Sequence, residues 1–124
     1  MNLALVFGSL FGALAIIFGA FGAHALKKKL NPEQLQSFET GVKYQMYHAI
    51  TLVVLGFNLS DESSINDYII HCMIIGTILF SFSIYGLVLS SANNRKLKFL
   101  GLITPLGGLL LTISWILLFY KFIS

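Results

Sequence analysis

Five polar side chains interrupt the long apolar stretches of this sequence, and their chemistry raises the question of function. They are His24, Gln45, His48, Tyr85 and Thr104. Imidazole, amide, phenol and hydroxyl groups can exchange hydrogen bonds or hold the polar end of a ligand, and histidine can also bind a metal ion. Inside a membrane such a side chain is unfavourable unless it finds a partner or lines a cavity, so each of the five is a candidate site residue.

The elements that would position these residues are four apolar stretches, at residues 3–26, 44–59, 68–91 and 99–122. Most of them reach the roughly 20 residues that a helix needs to cross a bilayer. The chain is 56% hydrophobic and only 10% charged, which leaves too little polar surface for a soluble domain. We therefore predict an all-α, polytopic integral membrane protein. It is a single domain, residues 1–124, with four transmembrane helices in a compact bundle.

Basic residues mark one end of the predicted bundle. Seven of the eight Lys and Arg residues lie in or beside the first and third connections, whereas the charged residues of the second connection are all acidic. The positive-inside rule then places the first and third connections in the cytoplasm and both termini outside it. We interpret the basic charge as a topology signal and expect no nucleic-acid partner. The basic residues concerned are Lys27, Lys28, Lys29, Lys43, Arg95, Lys96 and Lys98.

The second helix is predicted to begin before the membrane. Asn31 can cap it, Pro32 suits its first position, and Gln34 can reach back to the cap. From Pro32 to Leu59 such a helix is about 42 Å long at 1.5 Å per residue, which exceeds the thickness of the bilayer core. The second helix should therefore extend beyond the membrane at its cytoplasmic end.

In this topology the five polar residues all lie in the cytoplasmic half of the membrane, and three interpretations are open. The first is structural, with hydrogen bonds between helices. The second is a cavity for a lipid headgroup, a quinone or a small solute. The third is a metal or haem held between His24 and His48, although two histidines without carboxylate or thiolate company make a weak ligand set.

Catalysis finds little support in the apolar stretches. None of them contains an Asp or Glu that could act as a buried acid or base, and no Ser, Cys or Lys has an evident activating neighbour. We therefore predict no enzyme activity, no catalytic residue, no metal site and no cofactor.

Small residues form a stripe on the first helix, spaced alternately by four and three positions. Such a stripe lets another helix approach closely, and packing within the bundle is the preferred interpretation. Self-association of two copies through the first two glycines is the alternative. The stripe consists of Gly8, Gly12, Ala15, Gly19 and Gly22.

Four sequence motifs stand out: GAFGAHAL at 19–26, TGVKYQMYHA at 40–49, SFSIY at 81–85, and LGLITPLGG at 100–108 followed by Trp115. They resemble the YgdD/YwdK-like family of small bacterial membrane proteins of unknown function. The resemblance covers nearly the whole chain. It implies a four-helix protein of the bacterial inner membrane with no established activity, and its motifs contain all five candidate polar residues.

These observations lead to two functional hypotheses. The first is a non-enzymatic accessory or assembly partner of a larger membrane system. The alternative is a binder or carrier of a lipid, quinone or small solute that uses the five polar residues. The expected partners are membrane lipids and either another membrane protein or a second copy of the chain.

Overall fold

Four helices make up the fold of this chain. The computed structural model describes residues 1–59 and 61–124 and has no strand within these two ranges. Short connections join each helix to the next. The helices are α1 (Leu3–His24), α2 (Pro32–Asn58), α3 (Ser64–Ala92) and α4 (Leu100–Ile123). The prediction of an all-α fold is confirmed.

Three of the four helices are long and apolar enough to cross a membrane. They are α1, α3 and α4, with 22, 29 and 24 residues. The predicted span at 44–59 belongs to α2, which is long enough to cross a membrane but not apolar enough. Lys43, Gln45 and His48 interrupt the more apolar part of α2 and dilute its apolar content. The described residues therefore support three spans on length and composition, where the sequence predicted four.

The start of α2 has the predicted cap. Backbone N–H of Gln34 donates to the Asn31 side chain at 2.7 Å, and backbone N–H of Asn31 donates to the Gln34 side chain at 3.1 Å. Pro32 follows as the first helical residue. This reciprocal pair satisfies two backbone donors that the first turn of a helix otherwise leaves free. The prediction for this helix start is confirmed.

The helices are arranged as two hairpins. Helix α1 packs along α2, α3 packs along α4, and contacts between α2 and α3 join the pairs. Over the described residues, α4 has no Cα atom within 8 Å of one in α1 or α2. The arrangement is thus more open than the predicted compact bundle. The apolar core lies where the hairpins meet and includes Phe11, Leu52, Ile69, Met73 and Leu111.

Glycines on α1 allow close approach to α2. A methyl group on Gly8 would lie 3.0 Å from the carbonyl oxygen of Ala49 and 3.0 Å from the backbone nitrogen of Val53. A methyl group on Gly22 would lie 2.9 Å from the ring of Phe38. The stripe predicted from the sequence thus faces α2. Of its members, Gly8, Ala15 and Gly22 are buried, whereas Gly12 and Gly19 are partly buried.

A backbone irregularity in α3 meets a glycine of α4. The segment Ile78–Phe82 forms one π-helical turn inside α3. Gly107 faces this turn so closely that a methyl group on it would overlap the backbone of Leu79 and Phe80. Helices α3 and α4 therefore pack backbone against backbone at this level.

Polar contacts tie together the end of the molecule that holds both termini. The Asn2 side chain donates to the carbonyl oxygen of Gly56 at 3.0 Å, and Lys121 pairs with Asp61 at 3.2 Å. The Asn66 side chain donates to the Asp61 carboxylate at 2.9 Å. The hydrogen bonds from Asn66 and Lys121 lower the pKa of Asp61 to about 2. The α2–α3 connection is thereby fixed to the end of α4.

Replacement of Gly107 by alanine should destabilise the protein strongly. We expect Gly107→Ala to lower the free energy of unfolding by about 1–3 kcal/mol, because the added methyl group meets backbone that cannot move aside. Reversible unfolding in mixed micelles would measure it. Gly101→Ala in the same helix is the matched control, since nothing lies within 4 Å of its methyl group. Equal stability of the two variants would contradict the packing described for Gly107.

The Asp61 contacts should make stability depend on acidity. A carboxyl whose pKa is lowered from 3.8 to about 2 by folding stabilises the protein above pH 3.8, and this contribution disappears as the pH falls through about 2. As the pH is lowered from 3.8 to about 2, the midpoint of unfolding should fall less in Asp61→Asn than in the wild type. Glu62→Gln is the control, because the Glu62 side chain makes no hydrogen bond within the described ranges. A loss of the same size in Asp61→Asn and wild type would refute the coupling.

Candidate functional site

Gln45 joins three helices through its side-chain amide. The residue lies on α2 and is fully buried. Its Nε2 donates to the carbonyl oxygen of Phe11 on α1 at 2.8 Å, and its Oε1 accepts from the hydroxyl of Tyr85 on α3 at 2.6 Å. Donor and acceptor of the amide are both occupied, so Gln45 acts as a bridge between helices.

Tyr85 is held by aromatic rings as well as by Gln45. Its ring centroid lies 5.2 Å from that of Phe18, 5.0 Å from that of Phe38 and 5.7 Å from that of Phe82. Gly41 makes room for the ring, since a methyl group there would lie 2.8 Å from Tyr85 Cε1. The phenol oxygen is therefore directed at Gln45 by packing on several sides.

His48 connects α2 to α4. Its Nε2 accepts a hydrogen bond from Trp115 Nε1 at 3.1 Å, and its Nδ1 lies 2.7 Å from the carbonyl oxygen of Tyr44. Indole nitrogen can only donate, so Nε2 carries no proton and Nδ1 donates to Tyr44. Both ring nitrogens are engaged. A metal at His48 would have to displace Trp115.

Hydroxyl groups link α3 to its neighbours. Thr104 Oγ1 on α4 lies 2.5 Å from Ser83 Oγ on α3 and also donates to the carbonyl oxygen of Leu100 at 3.1 Å. The Ser81 hydroxyl, in the π-helical turn, donates to the carbonyl oxygen of Gly41 on α2 at 2.7 Å. These contacts satisfy side-chain hydroxyls between helices.

The five candidate residues thus do not form one site. Gln45 and Tyr85 bond directly, His48 bonds to Trp115, and Thr104 bonds to Ser83. His24 is exposed at the end of α1, and its side chain makes no hydrogen bond in the described part of the chain. The metal hypothesis that pairs His24 with His48 gains nothing from this placement. Within residues 1–59 and 61–124, no three His, Cys, Asp or Glu side chains are grouped to hold a metal ion.

Two serines make interhelical contacts that the sequence analysis did not anticipate. Ser114 on α4 is fully buried and donates to the carbonyl oxygen of Ile69 on α3 at 2.8 Å. Ser83 is the partner of Thr104. The signal available in the sequence was a lone hydroxyl residue within an apolar helix, which predicts a buried hydrogen bond without naming its acceptor.

A groove of about 750 Å³ opens at the end of the molecule that holds the basic connections. The start of α2 and the start of α4 form its sides, and the last turns of α3 form its floor. Hydroxyl groups, apolar side chains and lysines all line it. Thr104 is the only one of the five candidate residues among the lining residues described. Others are Ser37, Thr40, Leu87, Lys96 and Lys98.

Comparison with known proteins identifies relatives that are membrane proteins of unknown function. A family model described as "Protein of unknown function (DUF423)" matches residues 18–108. The relatives include UPF0382 membrane protein SAB0533 of Staphylococcus aureus, 40% identical over 95% of this chain and 93% of that protein. UPF0382 membrane protein YwdK of Bacillus subtilis is 39% identical, over 95% of this chain and 94% of its own length. No solved structure matches the chain.

Removal of the Tyr85 hydroxyl should destabilise the helix arrangement. We expect Tyr85→Phe to lower the free energy of unfolding by about 0.6–1.7 kcal/mol, because it leaves Gln45 Oε1 buried without a donor. Unfolding in mixed micelles measures the change, with the exposed Tyr47→Phe as control. In a double-mutant cycle with Gln45→Leu, the double variant should lose less stability than the sum of the losses in the two single variants. Full additivity would mean that the bond contributes nothing.

Proposed function

We propose that this chain, which belongs to the DUF423 family of proteins of unknown function, is a non-enzymatic accessory or assembly partner of a larger membrane system. The resemblance of its motifs to YwdK-like proteins is confirmed. The proposal rests on how the side chains are used. Gln45, His48 and Ser114 bond helix to helix, whereas large apolar side chains are exposed on all four helices. Such faces suit contact with lipid and with another membrane protein.

The non-enzymatic part of the proposal rests on the engagement of the polar groups. The amide of Gln45 and the ring nitrogens of His48 already have hydrogen-bond partners. The Tyr85 hydroxyl donates its hydrogen bond to Gln45. General acid or base catalysis requires a group that can exchange a proton with a substrate. These side chains would have to give up contacts between helices to do so.

The proposal includes four membrane crossings. The second half of α2 exposes Ile50, Val54 and Phe57 on its outer side, as a helix in contact with lipid does. Helix α2 also runs antiparallel to α1, since Gly8 faces Val53 and Gly22 faces Phe38. Its 27 residues give about 40 Å of length, so the charged first turns can stand outside the bilayer core.

We place the chain in the bacterial cytoplasmic, or inner, membrane with its basic end inside the cell. The relatives described above are named membrane proteins and come from bacteria. The positive-inside rule assigns the first and third connections, with their lysines, to the cytoplasm. Both termini and the acidic second connection then lie outside.

The groove supports a second candidate function, a binder or carrier of a lipid, quinone or small solute. Its volume of about 750 Å³ falls in the range of small-molecule sites, and its wall combines apolar and polar side chains. The site differs from the one that the sequence suggested, since Gln45, His48 and Tyr85 do not line it. Binding there is compatible with an accessory role.

Native mass spectrometry of the chain, extracted gently from its own membrane at natural abundance, tests the accessory role. We expect a complex with another membrane protein in a fixed ratio, because the exposed apolar faces of the helices are open to such a contact. The control is the chain produced in excess, which should give free protein once its partner is saturated. A chain that comes out alone at natural abundance, or only as copies of itself, would refute the proposal.

A further inference from the structure

The groove exists because α2 and α4 stand apart. Both helices pack on α3, and no pair of their Cα atoms in the described ranges lies within 8 Å. The space between their first turns is floored by Ile84, Leu87 and Val88 of α3. These apolar floor residues fit a hydrocarbon chain better than water.

Polar groups line the groove beside this floor, some toward the connections (Ser37, Ser91) and some at the level of Ser83 (Thr40, Thr104). Hydroxyl groups of Ser37, Thr40, Ser91 and Thr104 line it. The Thr40 and Thr104 hydroxyls already donate within their own helices, whereas Ser37 and Ser91 donate no hydrogen bond in the described ranges and can donate to phosphate or ester oxygens. The groove therefore combines an apolar floor with hydroxyl groups beside it, a composition that suits an amphiphile.

The charge at the mouth is positive. Lys96 and Lys98 line the groove, and neither ammonium group forms an ion pair or a hydrogen bond within residues 1–59 and 61–124. Glu33 is the single carboxylate among the lining residues described. The first turns of α2 and α4 add the positive ends of two helix dipoles. An anionic group has the complementary charge.

We infer that the groove binds one acidic phospholipid, with its phosphate between Lys96 and Lys98 and an acyl chain along Ile84 and Leu87. A quinone would leave the two lysines without a counterion, and a free phosphate would leave the apolar floor exposed to water. Basic clusters at the cytoplasmic ends of membrane helices attract anionic headgroups in the same way. The inference rests on the proposed orientation and deepens the second candidate function.

Lipid titration of the purified chain in neutral detergent, followed by native mass spectrometry, tests this inference. The probes are phosphatidylglycerol, phosphatidylcholine with the same acyl chains, and inorganic phosphate. We expect phosphatidylglycerol to bind at least about tenfold more tightly than phosphatidylcholine. Lys96→Gln and Lys98→Gln should each weaken it about fivefold, the effect expected for one lysine near a membrane surface. Gly101→Leu should block the groove without disturbing packing, since nothing lies within 4 Å of a methyl group at Gly101.

The matched control is Lys27→Gln, which removes one charge from the same end but outside the groove. It should change binding less than twofold. Several results would overturn the inference: equal binding of the two lipids, an equal loss in Lys27→Gln, full binding by Gly101→Leu, or displacement of the lipid by inorganic phosphate at equal concentration. Failure here leaves the accessory role intact, because that role is tested by a protein complex at natural abundance. Failure to find a partner likewise leaves the lipid titration unaffected.

Discussion

The hydrogen bonds of Gln45 are the contacts on which the rest of the structure depends most. Hydrocarbon offers no water to a polar group, so a buried amide must be satisfied by other parts of the protein. Gln45 meets this requirement with the Phe11 carbonyl on one side and the Tyr85 hydroxyl on the other. Its two bonds fix α1 and α3 against α2 at one level. Rotation of any of these helices would leave a polar atom of the amide unpaired.

The position of α4 follows from its contacts with α3. Tyr85 and Ser81 turn one side of α3 toward α2, and Gly107 brings α4 against another side at the π-helical turn. With α3 between them, α2 and α4 are joined by the Trp115–His48 bond yet remain apart where they begin. The groove is thus a consequence of the packing that orders the helices.

Local features of the sequence predicted part of this arrangement. The cap at Asn31 and the stripe from Gly8 to Gly22 depend on neighbours three or four positions away, which a sequence reveals directly. The positions of the five polar residues along their helices were also accessible, but their direction around each helix was not. His24 turns outward at the end of α1, and Thr104 pairs with Ser83, the residue that follows the π-helical turn. The sequence predicted a span at 44–59, but α2 mixes polar and apolar residues and is not among the three helices that are apolar enough to cross a membrane.

The two ends of the molecule differ in a way that connects the functional proposals. At the terminal end, contacts of Asn2 and Asp61 hold the helices together, whereas at the basic end Lys96 and Lys98 stand without partners in the described ranges beside an open groove. A lipid in that groove would touch both α2 and α4 and so complete their packing. If a partner protein contacts the same helices, lipid and partner must affect each other's affinity equally, because binding linkage is reciprocal. Lipid binding and an accessory role would then be two aspects of one arrangement.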